Sequence, residues 1–485
     1  MKMKKRLTVS ILAAILFIGT AFTASAETTA PYQNYVYREN GTAQEGPQAY
    51  LPEEEIFGQD LPCGPFAEAT DLDTDKNGDL YILDAGNNRI VVLDGDFEYK
   101  KVISCEIESE DGITTLKKAQ GIAVSEKNVY VCDTDNSRVL GFDKETGKLV
   151  SKVGTPTSKS LSSDFVFKPY RLDVDAEENL YIVSQGTYEG IINVTPEGEF
   201  LGFFASNQVT ASAWELFWRR FSTVEQRKTM VQLIPQDFSS IDKDEQGFFL
   251  ITTFTGTPMV KRVNPGGNDV IRALSKIPIT GDPYTTYSGT LAGVSSFADI
   301  ASGPEKIYAA LDRKRGRIFC YSNDGYMLYT FGILADRFGG FVNPVALTYL
   351  DDARVAVLDM AVGSITVFAP TEYAEAINTG IYYNNRLEYD EAEKQWKFVL
   401  KLNSNYDMAI NMIGMSYYNA GEYKLAMEYF KRADNKEMYS LAWGALRNQY
   451  IHKYIKWVVL AVAILIVLHY VRRIVKYVKA KKKTN

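Results

Sequence analysis

Six times between residues 69 and 368 the chain repeats one unit: an apolar strand, a turn, a second apolar strand ending on a polar residue, a tight turn and a third strand. The polar residues closing the second strands are Asp84, Asp133, Ser184, Thr253, Asp312 and Asp359, at spacings of 49, 51, 69, 59 and 47. A strand-rich unit of this size cannot bury both of its faces alone. Stacked copies can, and the ring they make is a β-propeller with four strands per blade, the outer one supplied by segments such as 97–103. The fold class this predicts is mainly β with an α C-terminal part, with a six-bladed propeller over residues 27–370.

The first unit runs Leu80, Tyr81, Ile82, Leu83, Asp84 and then Asn87, Asn88, Arg89, Ile90. The second runs Val129, Tyr130, Val131, Cys132, Asp133 and then Asn136, Ser137, Arg138, Val139. These residues resemble the NHL repeat. The fifth unit keeps Asp312 and Arg317, the sixth keeps Asp359, and the third and fourth lose both residues. The resemblance spans residues 69–368 and implies an NHL-like architecture without an activity, because the fold carries unrelated functions. An Asp ending a strand accepts turn N–H groups, and an Arg five residues on pairs with it. Asp84–Arg89, Asp133–Arg138 and Asp312–Arg317 are therefore predicted to be structural pairs.

The last unit lacks a fourth strand before the chain turns helical at Thr371, and an open edge invites aggregation. Residues 27–68 are assigned to closing the ring, with 32–38, which alternate like a strand, as the closing strand. Residues 205–234 read as a helical insertion, with Trp214, Phe217, Trp218 and Phe221 on one face and a capping box at Ser222 and Glu225.

From 371 to 450 the pattern is helical with a period of 34: Gly380, Tyr383, Ala392 and Trp396 recur as Gly414, Tyr417, Ala426 and Phe430. This resembles two tetratricopeptide repeats, a short array that stacks helices into a binding surface. The aromatic residues take the packing positions. Asn384 and Tyr418, on the first helix of each pair, fall outside that set and are the expected partner-binding residues.

Both ends point to a membrane. Lys2 to Arg6 are followed by an apolar run and a small-residue site at Ala24 and Ala26, the pattern of a signal peptide over 1–26. Residues 454–471 are apolar and span roughly 27 Å as a helix, close to the hydrocarbon thickness. The tail 472–485 is basic without an acid, which predicts a cytoplasmic end and an extracellular body, in a single pass. With four of the 53 cations at the N-terminal start and nine from Lys453 onward, the body keeps 40 basic residues against 60 acidic ones, a net of −20. Such a body repels nucleic acid. The four cysteines match no metal motif.

Both histidines, His452 and His469, lie in the C-terminal helix, so the body has no imidazole for a general base or a serine–histidine pair. Asp73, Asp75, Asn77, Gly78 and Asp84 superficially follow a calcium loop, but without flanking helices. The mouth of the ring is the expected ligand site. Aligning the units places Asp71, Gln120, Arg171, Asp237 and Asp299 near the starts of the inner strands. No cofactor is expected. The ion these carboxylates would hold is a divalent cation such as calcium, as in the gluconolactonase-like and regucalcin-like hydrolases, although no residue matches their ligand pattern. The expected function is a membrane-anchored extracytoplasmic binding or scaffold protein with a protein partner in or near the membrane, beside an envelope transport or glycan-handling complex. The alternatives are a metal-dependent hydrolase acting at the mouth and a structural spacer.

Overall fold

Six antiparallel sheets surround one axis in the computed structural model, which describes residues 30–481 except 39, 110–111, 162–164, 206–236, 272–276, 283–292 and 351–352. The expected signal peptide and nearly all of the helical insertion lie outside the described residues. The second strand of each blade is buried along its whole length in five blades: Leu80–Asp84, Leu180–Ser184, Phe249–Thr253, Tyr308–Asp312 and Val355–Asp359. In Asn128–Asp133 only the first residue is half-exposed. A strand with a sheet on either face has no solvent side, so it reads as a continuous apolar run instead of an alternating one. The side chains between neighbouring sheets form one apolar core per junction, six in all. Blade four shows three strands among the described residues. All four cysteines are free, and Cys105, Cys132 and Cys320 are buried in these cores.

Closure comes from a different segment than expected. Tyr50–Phe57 is the fourth strand of blade six, pairing antiparallel with Ser364–Pro370. Residues 34–37 instead form a hairpin with Ala43–Gly46 that covers the outer edge of blade five, where Thr330 N donates to Asn34 Oδ1 at 2.9 Å. The closing strand carries Pro52 and three glutamates, which count against a strand in sequence. An outermost strand needs only one hydrogen-bonded edge, so it tolerates both.

The motif pairs form in two blades of the three. Arg89 Nε reaches Asp84 Oδ2 at 2.6 Å and Arg138 Nε reaches Asp133 Oδ2 at 2.7 Å. In blade five the partner of Asp312 is Arg315, at 3.0 Å. Arg317 lies over the Tyr35 ring and donates to Gln33 O instead. The N-terminal hairpin supplies that ring, and nothing in the local motif encodes it.

Five helices follow: α1 (Glu372–Asn385), α2 (Tyr389–Leu402), α3 (Asp407–Asn419), α4 (Tyr423–Arg432) and α5 (Lys436–Lys481). The first four pack as two pairs, and the recurring glycines explain how. A Cβ on Gly380 would stand 2.7 Å from the Trp396 ring, and one on Gly414 would stand 2.7 Å from the Phe430 ring. The helices share a core with blades five and six, including Leu328, Tyr329, Tyr373, Ile377, Trp396 and Tyr406. Tyr406 OH donates to Leu328 O, Tyr329 OH donates to Asn378 Oδ1, and Arg38 pairs with Asp407 at 2.8 Å. Helix α5 alone among the described residues is long and apolar enough to cross a membrane.

Candidate functional site in the central channel

The inner strands are Ala69–Thr74, Gly121–Val124, Pro169–Val174, Phe238–Lys243, Phe297–Ser302 and Pro344–Tyr349. Each pairs on one side only, so the N–H groups on its other edge face the axis. Buried N–H groups need acceptors. Strand register defines two tiers of six positions along this channel. Asp71, Gly121, Arg171, Ser240, Asp299 and Ala346 lie opposite the penultimate residue of each second strand. Two residues further on, Asp73, Ala123, Asp173, Asp242, Ala301 and Thr348 form the lower tier.

The carboxylates supply the missing acceptors, each reaching from its own blade to the next. Asp71 accepts Ile122 N–H at 2.8 Å and Asp73 accepts Val124 N–H at 2.7 Å. Asp173 accepts from the Lys243 backbone, Asp242 accepts Ser302 N–H at 2.5 Å, and Asp299 accepts Leu347 N–H at 2.8 Å. Ser240 Oγ also donates to Asp299, at 2.6 Å. Blade two has no carboxylate to offer blade three, and there the direction reverses. Arg171 Nη1 donates back to Gln120 O at 2.9 Å and pairs with Asp71, while Nη2 donates to Val345 O at 2.9 Å. One guanidinium on blade three thus ties blades one, two and six. Gly121 is required at this crossing, because a Cβ there would stand 2.7 Å from Tyr170 O.

Of the residues expected at the mouth, Asp71, Arg171 and Asp299 come together in the channel. Gln120 contributes its main-chain carbonyl, and the tier position beside it is Gly121. Asp237 is outside the channel wall: it accepts from the Gly186 backbone, and Ser240, three residues on, holds the tier position. Both residues do stand at the starts of their inner strands, directly before Gly121 and Phe238, but not at the tier positions. The lower-tier Asp73, Asp173 and Asp242 were missed as channel residues, although the spacing of two from Asp71 and Arg171 already marks two of them.

Burial dominates the electrostatics. It holds the Asp73 carboxyl up at about 8, and the neighbouring Asp173 charge adds to the shift. Asp71, Asp173, Asp242 and Asp299 are also raised by burial, with the Arg171 charge opposing this at Asp71 and Asp299 and Lys243 opposing it at Asp173. The folded protein therefore holds protons that the unfolded chain, with ordinary carboxyls near 3.9, has released. Stability from these groups is complete below about pH 4 and is lost as the pH rises through the raised values, about 6 for Asp173, about 7 for Asp71 and about 8 for Asp73. The expected result is a melting temperature several degrees higher at pH 5.5 than at pH 8.5. Scanning calorimetry at the two pH values checks it, and equal or reversed midpoints would show that the carboxyls are ionised in the fold.

The free space between the tiers is about 30 Å³, enough for roughly two waters or a small ion. Among the described residues, no three His, Cys, Asp or Glu side chains are arranged to hold a metal ion. The chemistry of the donor set agrees, since these carboxylates spend oxygens on N–H groups or arginine. The calcium-loop pattern also disperses. Asp73 faces the channel, Asp75 caps its turn and meets Lys144 at 2.6 Å, and Asp84 meets Arg89. What this arrangement does chemically is join the blades.

On the helices, Asn384 is half-buried at the end of α1, where its carbonyl accepts Leu387 N–H. Tyr418, expected outside the packing, is part of it. Its ring meets Tyr423 edge-on at 5.4 Å and packs on the core of Ala426, Phe430 and Ala442.

No family model matches the chain, and no curated protein matches it. Solved structures share the propeller at low identity. A streptogramin B lyase structure is 12% identical, covering 70% of this chain and 87% of its own, with a TM-score of 0.40. Virginiamycin B lyase from Staphylococcus aureus is 11% identical, covering 65% and 98%, at 0.39. The β-propeller domain of Cps50 (Swd1) from Myceliophteria thermophila is 11% identical, covering 67% and 100%, at 0.40. The likeness is one of fold.

Proposed function

We propose that this chain is a membrane-anchored extracytoplasmic binding or scaffold protein, in which an NHL-like propeller presents a docking surface and tetratricopeptide-like helices hold it at a set height above the bilayer. The observation that carries this reading is the continuous packing from blades five and six through α1–α3, with α4 then packing on α5. The helix that would enter the membrane is thereby tied to the propeller through helical packing, without a loose linker. A signal peptide over 1–26 and the basic tail after the span give the orientation: body outside, tail inside. The channel supports binding over turnover, because its carboxylates are engaged with the N–H groups of the next blade or with Arg171.

The test is topological and then functional. Protease added to protoplasts should degrade the body and leave a C-terminal tag intact. A tag removed from outside refutes the orientation. Replacing 371–450 by an unrelated helical stalk of equal length should preserve crosslinks from the propeller to the partner, and a stalk of half that length should lose them. Loss of the crosslinks with the equal-length stalk would show that the helices, and not the propeller, recognise the partner.

A further inference from the structure

Blades five and six carry an apolar ledge flanked by cations, on the end opposite Glu305, where Asn385 and Arg386 of α1 attach. Three connections build it: the turns 313–316 and 360–363 and the loop 332–343. The buried Asp359 carboxylate fastens two of them together. It accepts Val342 N–H at 2.6 Å and Asn343 N–H at 3.1 Å from the loop, and Ala361 N–H at 2.9 Å and Val362 N–H at 3.2 Å from the turn. With their backbones held at one carboxylate, Val342 and Val362 still leave the core, 48% and 40% exposed. Leu334, 37% exposed, lies over Gly316 of the third connection, where a Cβ would stand 2.8 Å from the Leu334 nitrogen. Phe338, in the same loop as Leu334 and Val342, is 43% exposed.

The charge beside these side chains is the inverse of the charge of the body. Arg313 Nε donates to Asn343 Oδ1 at 2.9 Å, which holds its guanidinium next to Val342. Lys314 lines the adjoining hollow with Val294 and Ser296. Gly293 leaves space there for the Lys314 amine, which passes 3.2 Å from where a Cβ would be. The three connections contain Arg313, Lys314 and Arg337 against one acid, Asp336, in a body of net −20, while Arg315 is buried and paired with Asp312 and Asp282. A single exposed valine carries no message. Two apolar side chains on backbone fixed by a buried carboxylate, with Leu334 and Phe338 on the same loop as Val342 and cations at the rim, have the anatomy of an interface.

We propose that this ledge docks an acidic, apolar segment of a partner protein, whose apolar side chains cover Leu334, Val342 and Val362 and whose carboxylates face Arg313 and Lys314. The inference rests on the binding role proposed above for its setting, while its chemistry is independent of topology. The experiment places a photo-crosslinking amino acid at Val342, at Val362 and, as a control, at Val150 on the outer strand of blade two, in the full-length protein in its membrane. Mass spectrometry then reads the attached segment. The expected result is one acidic, apolar protein segment attached from 342 and 362 and not from 150. Its yield should fall by about tenfold or more in Arg313→Glu/Lys314→Glu and persist in Arg313→Lys/Lys314→Arg, with melting temperatures equal across the set. Attachment to lipid or glycan, a basic segment, a yield indifferent to charge reversal, or no product at either position would overturn the proposal. If protease places the body in the cytoplasm while these crosslinks persist, the extracytoplasmic reading fails and the ledge stands.

Discussion

Arg171→Met should destabilise the propeller by about 3–5 kcal/mol, the range for removing one partner of a buried ion pair. The side chain is 4% exposed, and it pairs with Asp71 and donates to Gln120 O and Val345 O. Its loss strands a buried carboxylate and two carbonyls, and it removes the charge that restrains the upward shifts of Asp71 and Asp299. Both carboxyls should then rise further, so the variant should lose stability more steeply than the parent as the pH goes from 5.5 to 8.5. Adding Asp71→Leu should recover part of the loss, because a buried pair replaced by apolar side chains is often neutral. Denaturant melts of the four species give the coupling. Additive effects, or an Arg171→Met protein as stable as the parent at pH 8, would mean that the guanidinium does not hold the ring.

Trp396→Ala should cost about 3–5 kcal/mol, as for other fully buried large aromatics. Trp396 is completely buried against Gly380 in the core shared by the helices and blades five and six. The damage should therefore appear as a loss of docking, with protease cutting between residue 370 and the helices while the blades stay resistant. Trp396→Phe supplies the contrast. The indole Nε1 is buried without a hydrogen-bond partner, so losing that N–H offsets part of the lost area and the substitution should be much milder. Limited proteolysis with mass analysis reads both. Equal effects of the two substitutions would show that the polar orphan and not the cavity governs this site.

The number of blades was legible because each second strand is apolar on both faces and ends on a polar residue, a pattern that local sequence states outright. The helical period was legible for a similar reason, since Gly380 and Trp396, and Gly414 and Phe430, are contacts between adjacent helices. The channel was legible only in part. Asp71, Arg171 and Asp299 were reached by alignment. Gly121 and Ser240 hold the tier positions beside Gln120 and Asp237, because an odd shift, of one residue in the first case and three in the second, moves a strand side chain to the other face.

The sequence by itself determined the repeat, the count of blades, the helical pairs and the long apolar helix, all of which follow from burial patterns within one segment. Tertiary structure alone decided which segment closes the ring, which arginine pairs with Asp312, and what the channel carboxylates do. Each of those depends on a partner far away in the chain: Phe57 beside Ser364, Tyr35 beneath Arg317, Arg171 against Val345. The physical reason is that an Asp on an inner strand has the same residue type and spacing whether it binds an ion or caps an N–H. Only the position of the next blade's edge distinguishes the two.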